Sequence, residues 1–90
     1  MEDLATARPA GHHVLADGFH LERQLRSAER HYAEARAAAD QAREEWRSLS
    51  IRPDARPTQV LAARAKFKAV AARCSRLRNV IEDLEERLDD

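Results

Sequence analysis

Ninety residues admit one small domain, and 16 basic side chains balance 16 acidic ones. Charged residues make up 36% and aromatics only 4%, while alanine supplies much of the 43% apolar content, a composition typical of long helices and coiled coils. Zero net charge argues against bulk attraction to nucleic acid or to an anionic membrane, though local patches still matter, and no apolar run approaches the length of a bilayer span.

In chain order, residues 1–18 come first, with Pro9, Gly11 and Gly18 and no sustained period. They read as a flexible N-terminal arm with a short ordered piece near Val14 and Leu15. Asp17 is the expected N-cap of the helix that follows. No charged leader followed by an apolar stretch opens the chain, and a lone cysteine, Cys74, excludes an intrachain disulfide. The expected setting is soluble, reducing and cytoplasmic.

The first helix is expected over 19–50. Leu21, Leu25, Ala28, Tyr32, Ala35, Ala39, Ala42, Trp46 and Leu49 recur at alternating steps of four and three, an unbroken heptad seam. Residues 51–57 read as a bend. Pro53 disfavours helix at Arg52, Asp54 suits a turn, and Pro57 fits the first helical turn. The second helix is expected over 58–88. Its seam is Val60, Ala63, Phe67, Val70, Cys74, Leu77, Ile81, Leu84 and Leu88.

Folding the chain at the bend sets Leu49 against Val60 and pairs the two seams layer by layer without a skip. Trp46 meets Ala63, Ala42 meets Phe67, Ala35 meets Cys74 and Ala28 meets Ile81, so large faces small. Flanking charges neither favour nor oppose this register. Glu29–Arg78 and Glu45–Lys66 attract, whereas Glu22–Glu85 and Arg43–Arg64 repel. The predicted fold is therefore all-α, an antiparallel two-helix hairpin of coiled-coil type with a flexible N-terminal arm.

Chemistry-bearing residues are sparse. His20 and His31 lie roughly 16 Å apart along one helix, too far to share an ion, and no Cys–His ligand pattern occurs. No catalytic, cofactor-binding or metal residues are assigned, and the chain is read as a non-enzymatic module with no small-molecule substrate. Cys74 reads as a buried small hydrophobe. A single seam leaves apolar side stripes uncovered, so the expected partner is another protein or a second copy. Trp46, Leu61, Ala69, Ala72 and Val80 are the candidate contact residues. The alternative partner is nucleic acid, bound by the basic block Arg64, Lys66, Lys68, Arg73, Arg76 and Arg78.

Leu21-Glu22-x-Gln24-Leu25 opening the first helix, Gln59-Val60 opening the second, and the apolar ending at Ile81 and Leu84 resemble the small E-component co-chaperones of bacterial type III secretion. The resemblance spans about residues 21–85. It implies a cytoplasmic hairpin that packs on a helical-repeat chaperone and helps to keep a needle subunit monomeric before export. Trp46-Arg47-Ser48 near the bend is also similar to the Trp-x-Gly turn of small secreted hairpin proteins, without the glycine.

Overall fold

A computed structural model gives the architecture and describes the backbone of residues 2–90 and the side chains of residues 18–90. Two helices, α1 (Glu2–Ser50) and α2 (Pro57–Asp89), lie antiparallel and are joined by a six-residue bend. The arm expected over residues 1–18, with its Asp17 cap, lies almost wholly outside the residues described in full.

The 18 predicted seam positions are all buried or half-buried, and α1 and α2 meet along them. The alternation of three and four keeps one stripe of each helix facing the other, since two turns of helix span about seven residues. The centre of the seam is a cluster of Ala35, Ala39 and Cys74, walled by Tyr32, Val70 and Leu77. That grouping is the one the skip-free register requires. Glu45 Oε2 accepts from Lys66 Nζ at 3.4 Å, which fixes the register near the bend as well. Among the described residues no ion pair joins Glu29 to Arg78, although their layers adjoin.

The large residues do not simply oppose alanine. Trp46 and Phe67 stand in neighbouring layers, yet their rings stack with centroids 5.7 Å apart and planes at 27°. Helical side chains lean toward the N-terminus of their own helix. In an antiparallel pair this tilts Trp46 and Phe67 toward each other, over the space that Ala42 and Ala63 leave free. Such a pair adds about 0.5–1.5 kcal/mol to the area it buries.

The bend forms without glycine, and among the described residues none has a positive φ. Ser50 Oγ donates to the Trp46 carbonyl at 2.8 Å, and Arg52 N–H to the Leu49 carbonyl at 3.3 Å, so the last turn of α1 tightens as it stops. Ala55 N–H donates to the Arg52 carbonyl at 3.3 Å. This closes a turn with Pro53 at its second position, where a fixed φ suits it, and Asp54 at its third. Pro57 proves to be the first residue of α2, one earlier than the predicted 58, because its ring already holds the helical φ. Arg56 precedes it as N-cap with extended backbone. An arginine side chain has no acceptor for the free N–H groups. The return half of a capping box is nevertheless made, since Arg56 N–H donates to Gln59 Oε1 at 3.0 Å.

Arg52 also forks onto Asp54, donating from Nε at 3.2 Å and from the terminal nitrogen at 3.1 Å. This hydrogen bonding, with a smaller part from the bend backbone, holds the Asp54 carboxyl below the usual aspartate range. A depressed folded-state value means the carboxylate's contribution is present above the unfolded aspartate value and is lost as pH falls through the folded one. The Asp54 side-chain carbon is therefore expected to titrate at lower pH than that of an aspartate in an unfolded peptide when followed by NMR. Arg52→Gln should move its midpoint upward. A midpoint unchanged by that substitution would show that the fork does not form in solution.

Candidate functional site

The surfaces of the hairpin divide into the two flanks of the seam and the outward faces of α1 and α2. One flank carries an open groove. Its floor is Ala28, Leu77 and Leu84, and its rims are Gln24 and His31 on α1 and Val80 on α2. Ser27 Oγ lies 3.5 Å from His31 Nδ1 at its edge. A second shallow recess on the same flank lies by the bend, between Leu49, Ala63 and the Glu45–Lys66 pair. On the other flank Tyr32, Trp46, Phe67 and Ile81 are all half-buried, leaving part of each ring or chain open. Arg36 donates to the Tyr32 hydroxyl at 3.3 Å and lies 4.0 Å from Asp40, and these contacts raise its already high pKa.

The five candidate contact residues do not share one face. Leu61 is 60% exposed and Val80 46% exposed, and heptad spacing sets them on opposite flanks of α2. Ala69 and Ala72 are exposed and point away from α1. Trp46 is half-buried in the seam, so most of its surface is already committed to Phe67 and the core. The six basic candidates are all exposed, but they occupy four different heptad positions. Lys66 is paired with Glu45, while Arg64 and Arg78 lie on the opposite flank. They form no single basic track of the kind a phosphate backbone follows.

Sequence reasoning did not single out Ile51, which is 78% exposed at the tip of the bend. Its signal was its place between Ser50 and Arg52, outside both seams. Among the described residues no set of three His, Cys, Asp or Glu side chains converges as metal ligands. None of these residues has a buried side-chain polar atom lacking a partner. No described helix is long and apolar enough to cross a membrane. No family model matches the chain, and neither a curated protein nor a solved structure does.

Proposed function

We propose that this chain is a non-enzymatic protein–protein interaction module of the adaptor or co-chaperone type. The observation that carries the reading is the thinness of the hairpin. Among the described residues the buried ones are Ala28, Ala35, Ala39, Ala42, Ala63, Cys74 and Leu84, and one of these is a large hydrophobe. Each buried CH₂ contributes about 0.8 kcal/mol, and a small unstapled core rarely supplies more than about 3–5 kcal/mol. Apolar surface meanwhile stays open at Phe19, Ile51, Leu61 and Val80. A hairpin of this kind gains stability by laying a flank against further helices.

The resemblance to type III secretion co-chaperones narrows that reading to a helical-repeat chaperone as one partner, with the hairpin completing its helical array. The nucleic-acid alternative draws no support from the scattered placement of its six basic residues.

Thermal unfolding of the isolated chain tests the module reading. The expected result is a broad, low-temperature transition, or one whose midpoint rises with protein concentration. A steep transition at high temperature, independent of concentration, would count against it, because such a hairpin needs no partner.

A further inference from the structure

Two like-charge pairs are the features least suited to a solitary hairpin. Arg43 stands opposite Arg64 near the bend, and Glu22 opposite Glu85 near the open end. All four are exposed, and all four lie on the flank that carries Tyr32, Trp46 and Phe67. Arg43 reaches back to Asp40 of its own helix at 3.4 Å, and among the described residues the other three form no ion pair.

Most charges on this flank are antisymmetric about its midpoint; Arg78, Arg47 and Asp89 are the exceptions, with Ala71, Phe19 and Leu61 at the mirrored positions. Along α1 the positions that border the seam read Glu22, Glu29, Arg36, Arg43. In the next row out, Arg26 and Asp40 sit equally far on either side of Ala33. Along α2, Lys68 and Glu82 sit equally far from Ser75, and Arg64 and Glu85 lie at the two extremes. An antisymmetric row complements itself when reversed.

We propose that this flank pairs with the same flank of a second copy of the chain, bends at opposite ends, to form an antiparallel four-helix bundle. The proposal deepens the interaction reading above by naming the chain itself as a partner. With the two-fold axis passing by Ala33 and Ser75, α1 lies against α1 of the second copy and α2 against α2. Arg43 then faces Glu22 of the second copy, Arg36 faces Glu29 and Arg26 faces Asp40. On α2, Arg64 faces Glu85 and Lys68 faces Glu82. Each opposition is attractive, and symmetry makes each occur twice. Small residues, Ala33, Ala71 and Ser75, fall where the backbones approach most closely, and Arg78 faces Ala71 of the second copy there.

The same-end arrangement matches less well. It sets α1 against α2 of the second copy, so Glu29 meets Arg78, Arg26 meets Glu82 and Asp40 meets Lys68, but Arg43 meets Arg64 again and Glu22 meets Glu85. The opposite flank does not have the pattern either: with Glu34, Arg76 and Asp83 in its outer row, reversal still sets Lys66 against Arg87, and leaves Glu45 against Gln24 and Arg73 against Val80. Charge thus selects both the flank and the direction, as expected where rim charges set partner choice more than affinity.

Sedimentation equilibrium on the full chain is the first test, with a dimer expected that weakens as salt rises. Arg43→Glu with Arg64→Glu should raise the dimer Kd about 100-fold, since four attractive oppositions become repulsive. Glu22→Arg with Glu85→Arg should do the same. Both variants keep like-charged pairs within each hairpin, so their helicity should match that of the parent chain. Mixing the two variants should restore the dimer, because each reversed pair then faces its complement. Spin labels on Thr58→Cys, in a Cys74→Ala background, should lie about 50 Å apart across the dimer, against about 20 Å for the same-end form. A parent chain that stays monomeric, a mixture that stays monomeric, or the short label distance would each overturn the proposal. A monomer with a weak melt overturns only the self-pairing, while a monomer with a steep, high melt overturns the interaction reading too.

Discussion

Replacing Leu84 by alanine is expected to leave a large fraction of the chain unfolded at room temperature. Leu84 is 5% exposed and is the largest side chain in the buried set, which otherwise holds alanines and Cys74. It packs in the layer with Leu25, close to the open end, where no bend holds the helices together. Leucine-to-alanine changes in cores cost about 2–5 kcal/mol, the lost transfer energy plus the cavity left behind. A hairpin relaxes more easily than a large domain, so the low end of that range, about 2–3 kcal/mol, applies. Set against a core worth about 3–5 kcal/mol, that loss is most of the total. Leu61→Ala provides the contrast, because Leu61 is 60% exposed and its removal should change stability by less than about 0.5 kcal/mol. Urea unfolding followed by far-ultraviolet circular dichroism measures both. Equal effects of the two substitutions would show that the seam does not pack as described. Leu84 lies away from the flank proposed for self-pairing whereas Leu61 lies on it, so the comparison is made at a concentration at which the chain is monomeric.

The seam was legible because one periodic constraint repeats nine times on each helix. A single misplaced residue in either run would have broken the layer pairing, so agreement along the whole length carried far more information than any local motif. The bend was legible for a different reason. Pro53 and Pro57 restrict φ directly, and this effect does not wait on tertiary packing. The stacking of Trp46 on Phe67 was not legible in the same way. Layer pairing assigns each large residue to the alanine it faces and ignores the lean of side chains along the axis, which brings neighbouring layers into contact. Four of the candidate contact residues are apolar positions outside the seam with no common angle, and so they scatter around α2, while Trp46 lies on α1. Surface residues answer to no repeat within the chain. What constrains them lies on another molecule, and a pattern appears only when a symmetry is imposed. Glu22–Glu85 and Arg43–Arg64 are the example: as contacts within one hairpin they oppose the fold, whereas the reversed copy turns both into attractions.

The alanine-rich middle of α1 makes the opposite demand from Leu84, since there a larger side chain should destabilise. Ala35 is 0% exposed, packed on Cys74 with Tyr32, Val70 and Leu77 around it. Ala35→Leu adds three carbons where no space remains, so the helices must part or the neighbours must leave their rotamers. Overpacking of this kind costs about 1–3 kcal/mol, and about 2 kcal/mol is expected here. Helix propensity is not the cause, since leucine ranks just below alanine as a helix former. Ala37→Leu isolates that point: Ala37 is exposed on the outward face of α1, and the same substitution there should be nearly neutral. If hydrophobicity alone governed the stability of the hairpin, Ala35→Leu would raise its unfolding midpoint. If close packing of the two backbones governs it, the midpoint falls, and shrinking the opposing residue by Cys74→Ala recovers part of the loss. That non-additive recovery is the sharper measurement, because it arises only when positions 35 and 74 face each other across the seam.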